Sequence, residues 1–128
     1  MTLEEVIQAS PVRVLEGSYS VLRVSTIPST VNYFAAVSDG SEVTIVVPAD
    51  DAATLDASNA EGPFRMLRLE IAAPFAAPGF IAAATTALAQ AGVNVYVLST
   101  FSFDYVLVKA HDLKAAVTAL GARRFPIA

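Results

Sequence analysis

The sequence predicts an α+β fold in which antiparallel sheet carries its helices on one face. Three observations support this. Segments that alternate apolar and polar residues recur along the chain, an Asp-Gly turn joins two of them, and apolar residues at helical spacing occur between strands. The 128 residues suffice for one ordinary domain or two very small ones. With 55% hydrophobic and 16% charged residues, the chain has ample apolar surface to bury.

Tyr19 to Ser25 places Tyr19, Val21 and Arg23 on one face and Ser20, Leu22 and Val24 on the other, the period of a half-buried strand. Tyr33 to Val37 and Val43 to Val47 flank Ser38-Asp39-Gly40-Ser41, a hairpin signal because both central turn positions tolerate positive φ. Pro48 stops that strand, and Ala49 to Leu55 reads as a short, poorly capped helix. Ala57 to Pro63 is polar, contains Gly62 and Pro63, and reads as the internal boundary. Arg65 to Ile71 alternates again, with Leu67, Leu69 and Ile71 on the dry face. Phe80, Ala84, Leu88 and Ala91 line one helical face before Gly92. Val93 to Leu98 and Tyr105 to Lys109 are strands. Leu113, Ala116, Val117 and Leu120 make a second amphipathic helix ending at Gly121, and Arg123 to Ile127 supplies a last strand.

The second half thus reads β-α-β-β-α-β, the ferredoxin-like order. The first half has strands of the same spacing but weak helices, so it reads as a degenerate copy of the same unit. The expected units are residues 12–60 and 64–127.

Eight basic against twelve acidic residues give a net charge of −4, which repels nucleic acid and anionic membrane surfaces, so neither is an expected partner. There is no cysteine and one histidine, which removes disulfides, thiolate catalysis and Cys-based metal sites, and neither a metal nor a cofactor is expected. Acids stand where a secretory signal needs bases, and the apolar stretch Phe80 to Ala91 is too short to span a bilayer. A cytoplasmic protein is the expectation.

Catalytic chemistry has little support. Asp50-Asp51 and His111-Asp112 both fall where a helix begins, and acids there favour the helix dipole. Ser99-Thr100 lacks the glycine setting of a nucleophile elbow, and neither a dinucleotide fingerprint nor a P-loop occurs. Phe101 and Phe103 lack the basic neighbours that an RNA-stacking sheet needs. The distinctive segment is Ser99-Thr100-Phe101-Ser102-Phe103-Asp104-Tyr105 between two apolar strands, where an ordinary hairpin would carry Gly, Asn or Pro. It offers hydroxyls, aromatic walls and a carboxylate. Across from it, the ferredoxin-like order puts Ala76-Ala77-Pro78-Gly79-Phe80, where helix N–H groups attract a carboxylate and Gly79 allows close approach. With Asp104 holding an ammonium group or another cation, the two loops read as an amino-acid clamp.

At these residues the sequence resembles the ACT-domain family. Val93 to Lys109 is similar to the second ACT unit of short bacterial tandem-ACT proteins, which are themselves similar to the ACT pair of aspartate kinases and to the cytosolic arginine sensors of animals. Gly62 to Glu70 fits the start of that unit, and Tyr19 to Val24 with Glu42 to Pro48 fits the first. The resemblance implies two ACT units, the first degenerate, and a non-catalytic regulatory or sensor protein that binds a small ligand, an amino acid, where units pair. It implies a pocket of Gly79, Phe80, Ile81, Thr100, Phe101 and Asp104. Sheet edges of such units are commonly covered by a partner unit and the chain is rich in apolar residues, so a homodimer or an equally extensive intrachain pairing is expected. The acidic residue that helps the arginine sensors hold their ligand is replaced by apolar sequence around Ala77, which points away from arginine. The alternative is an interaction or dimerisation module without a ligand.

Overall fold

The structure, a computed structural model, describes residues 1–128. The elements in chain order are α1 (Leu3–Gln8), β1 (Val12–Val14), β2 (Tyr19–Val24), β3 (Ala35–Ser38), β4 (Val43–Pro48), α2 (Ala49–Ala52), β5 (Ala57–Leu69), α3 (Phe80–Gln90), β6 (Tyr96–Ser99), β7 (Asp104–Lys109), a 3₁₀ turn (Ala110–Asp112) and α4 (Leu113–Ala122). The chain divides into a larger compact unit, Met1–Glu16 with Arg65–Ala128, and a smaller one, Gly17–Phe64. The fold is α+β with antiparallel strand pairs, as the alternating segments predict.

In the larger unit the strands run in the order β1-β5-β7-β6. Val12, Leu67, Leu69, Val106 and Val108 point from this sheet into one core with Phe80, Ala84 and Leu88 of α3 and with Ala116 and Leu120 of α4. The helices thus lie on one face, each burying its apolar stripe. Such burial is worth about 1.5–3 kcal/mol for each large side chain. α3 ends through Gly92, at φ 75°, with Gly92 N–H bonded to Ala89 O at 3.0 Å and Val93 N–H to Leu88 O at 2.9 Å. That is a Schellman cap at the glycine the sequence marks.

The last strand departs from expectation. Residues 123–127 contribute only an isolated bridge from Ile127 to Val12. The place beside β5 is taken instead by β1, with Val12 facing Leu69 and Val14 facing Leu67. Part of the expected strand is used to end α4, which runs beyond Gly121 to Ala122 and closes at Arg124, a non-glycine residue at φ 80°. Gly121 therefore sits inside the helix rather than ending it. The N-terminal helix α1, which the strand-oriented reading passes over, buries Val6 and Ile7 in the same core. Its start is a capping box: Glu5 N–H donates to Thr2 Oγ1 at 3.1 Å and Thr2 N–H to Glu5 Oε1 at 2.8 Å.

In the smaller unit the order is β3-β4-β2-β5, the same ferredoxin-like arrangement. Residues 25–34 form no helix between β2 and β3, and α2 is a single turn, so the unit is degenerate in its helices and sound in its strands. Leu22, Val24, Ile45 and Val47 form its core, covered by Val31, Ala52 and Leu55. The polar stretch Ala57 to Pro63, read from sequence as a boundary, is strand. Glu61, Ala60 and Asn59 face Val21, Leu22 and Arg23 of β2. Ser58–Pro63 are exposed, so no apolar alternation marks them, and the β2 ladder shifts register there, as a bulge does. Gly62 permits the approach: a Cβ on it would lie 3.1 Å from Tyr19 O.

Candidate functional site

The distinctive loop is the turn of the β6–β7 hairpin, whose ladder ends with Ser99 facing Asp104. Thr100 N–H donates to Phe103 O at 2.9 Å and Thr100 Oγ1 accepts from Phe103 N–H at 3.3 Å, so residues 100–103 form a closed turn. This closure projects the Phe101 ring outward, 82% exposed. Phe75, equally exposed and at φ 63°, meets it at 5.1 Å between centroids with the planes tilted by 57°. Beneath the two rings lies a groove of 160 Å³ whose walls include Ile71, Pro74, Phe103 and Asp104.

Three of the six residues expected at a pocket, Thr100, Phe101 and Asp104, are brought together in this groove. Gly79 instead lines a separate hollow of 370 Å³ with Leu3, Thr86 and Arg123, its φ of 88° marking the start of α3. Phe80 points into the core and meets Phe125 edge-on at 5.5 Å. Ile81 is half-buried and packs against that core. Facing the hairpin turn are Ile71, Pro74 and Phe75, from the earlier part of the loop between β5 and α3. The ferredoxin-like order alone points to residues 76–80 at this position, whereas Phe75, an aromatic in a Pro-flanked loop, is the residue that meets the turn.

Charge around the groove is ordered. Asp104 accepts from the Ser99 hydroxyl at 2.6 Å, which leaves its other carboxylate oxygen available to a cationic group. Behind Phe103, the Arg68 guanidinium lies over the ring at 5.3 Å. Arg68 pairs with Glu70 at 2.8 Å, and Glu70 also binds Arg13 at 3.2 Å. The hydrogen bond from Arg13, seconded by Arg68, holds the Glu70 carboxyl below its usual range, and the bond to Glu70 raises Arg68. The groove therefore combines aromatic surface, hydroxyls and a carboxylate with a fixed cation behind one wall. His111, in the 3₁₀ turn before α4, lies 3.6 Å from Asp112 with most of its side chain in solvent. The Asp50-Asp51 pair occupies the single turn of α2.

A four-stranded antiparallel sheet in this order, with α3 and α4 on one face, defines a ferredoxin-like α+β protein. The chain belongs to the ACT domain family, whose profile matches residues 59–122. ACT domains are regulatory, ligand-binding modules, and membership supports that role in general terms. The fold is shared with a protein of unknown function from Vibrio cholerae described as a possible transport protein, at TM-score 0.85 and 23% identity over 95% of each chain. A protein from Agrobacterium tumefaciens matches at TM-score 0.74 and 22% identity over 93% of this chain and 92% of that one. The regulatory subunit of aspartate kinase from Thermus flavus matches at TM-score 0.68 and 12% identity, over 88% and 96%. No curated protein matches the sequence closely enough to count as a relative. No helix is long and apolar enough to cross a membrane.

Proposed function

We propose that this chain is a non-catalytic cytoplasmic regulatory protein, two ACT units at residues 12–60 and 64–127, that binds an amino acid at the β6–β7 turn. The observation that carries the reading is the pair of exposed rings, Phe75 and Phe101, over a groove that ends at the Asp104 carboxylate. Apolar surface of this kind is costly to leave in water and marks a place that another molecule covers. Asp104 anchors the ammonium group, Thr100 and Phe101 supply backbone and ring contacts, and Gly79, Phe80 and Ile81 fix the start of α3 behind the loop. At 160 Å³ the groove is smaller than the roughly 300–1,000 Å³ of closed small-molecule sites, so a second copy of the chain closes it. A homodimer with ligand at the unit interface follows.

The exposed rings also favour the second reading, in which they only mediate dimer packing. A thermal-shift screen of the common amino acids, followed by calorimetry on any hit, separates the two. A ligand at a hundredfold excess over its Kd stabilises the native state by about 2.7 kcal/mol. The binding reading requires a hit that also depends on Asp104. A screen without a hit, with the protein dimeric by light scattering, favours the packing module.

A further inference from the structure

The smaller unit carries a hairpin built on the same plan as the β6–β7 turn but of different chemistry. Its ladder ends with Ser38 facing Val43, enclosing residues 39–42, as that of β6 and β7 ends with Ser99 facing Asp104, enclosing 100–103. In place of two phenyl rings the turn offers Asp39, Gly40, Ser41 and Glu42. Beside it lies a cleft of 690 Å³, within the range of about 300–1,000 Å³ typical of small-molecule sites, onto which Arg23, Ser25, Ser38, Glu42 and Asp56 face.

The cleft is fixed before anything enters it. One carboxylate oxygen of Asp39 accepts from Ser41 N–H and the Ser41 hydroxyl, each at 2.8 Å, and from Glu42 N–H at 2.9 Å, which locks the turn. Arg23 Nε donates to Ser58 Oγ at 3.1 Å, while that hydroxyl donates to Arg23 O at 3.3 Å. The guanidinium is thereby aimed, and its terminal Nη groups make no hydrogen bond or ion pair. The carboxylates of Glu42 and Asp56 also make none. One positive and two negative groups thus converge on a single cleft without pairing with one another. Opposite charges so placed neutralise a molecule that itself carries both signs.

We propose that this cleft binds a small zwitterion, its anionic group on Arg23 and its ammonium on Glu42 and Asp56. Arg23 presents a fork suited to a carboxylate or a phosphate, and the hydroxyls of Ser25 and Ser38 supply further hydrogen bonds. The site uses no residue of the Asp104 groove, so the two stand or fall separately.

The test is an NMR titration of the full chain with three probes: β-alanine for a carboxylate end, O-phosphoethanolamine for a phosphate end, and putrescine for cationic ends alone. At least one zwitterion saturates shifts at the amides of Ser25, Gly40 and Ser41 and binds about tenfold or more tighter than putrescine. The tighter of the two zwitterions identifies the anionic group. Arg23→Gln and Asp56→Asn each weaken that binding about tenfold, whereas Asp104→Asn leaves it unchanged. All of these side chains are at least partly in solvent, and the spectra of the variants report retained folding directly. The proposal is overturned if neither zwitterion moves those amides at about 10 mM, if putrescine binds as tightly, or if the cleft variants leave affinity intact.

Discussion

Asp104 and Ser99 face each other across the last rung of the β6–β7 ladder, and the Ser99 hydroxyl donates to the Asp104 carboxylate at 2.6 Å. The bond orients the carboxylate without neutralising it. Ser99→Ala therefore changes stability by about 1 kcal/mol or less in urea melts, because the pair lies at the solvent-facing end of the hairpin. A loss of several kcal/mol would show the pair to be a structural lock.

The end of α4 makes a paired prediction. Gly121 lies within the helix, where an added Cβ meets nothing nearer than Ile127 Cγ1 at 3.7 Å. Arg124 holds the left-handed position that favours glycine, with Phe125 N–H bonded to Leu120 O at 3.1 Å to complete the cap. Gly121→Ala and Arg124→Gly should each stabilise the protein by about 0.5–1 kcal/mol in chemical denaturation. The same substitution at Gly79, at φ 88° and 3.4 Å from Leu3 Cδ2, should destabilise by about 1 kcal/mol or more.

Phe80 is the test of core against pocket. It is 2% exposed and packs on Phe125, so Phe80→Ala should cost about 3–5 kcal/mol by cavity formation. A loss under about 1 kcal/mol would place the ring outside the core.

Asp39 governs the acid limb of the smaller unit's hairpin. Three donors, led by Glu42 N–H, lower its pKa to about 2. The folded value lies below the ordinary carboxylate range of about 3.9. Its contribution is therefore present above that range and is lost as pH falls from about 4 through about 2. Carboxyl NMR titration should give an Asp39 midpoint near 2, and Asp39→Asn should flatten this part of the acid transition. A midpoint near 4 would show the turn to be open.

What the sequence reveals divides by how each signal arises. β4 and β7 are buried on both faces and stand out as apolar runs, whereas β2, α3 and α4 bury one face, so that periodicity locates them within a few residues. The first half of β5 does neither. Its side chains are exposed, and its strand state comes from backbone pairing with β2, which no local pattern encodes. β1 has three residues, too few for a period, and it is placed by pairing with β5 from far along the chain. Thr2 and Glu5 did carry a local signal for α1, the capping box, which a reading alert only to targeting signals passes over. At the site, Thr100, Phe101 and Asp104 were legible because their chemistry is unusual for a hairpin turn. Phe75 was not, since its meeting with Phe101 depends on the path of residues 72–79 and not on spacing.

The proposed function rests on Asp104 anchoring the ammonium group of an amino acid bound against Phe75 and Phe101. Calorimetric titration of wild type and Asp104→Asn with the best amino acid from the thermal-shift screen, alongside urea melts of both proteins, measures it most directly. The substitution keeps the shape and removes the charge, so binding should weaken by about 1.5–3 kcal/mol, roughly ten- to a hundredfold in affinity, with folding retained. Unchanged affinity together with stability lowered by about 1 kcal/mol would contradict it and leave Asp104 as a turn residue alone.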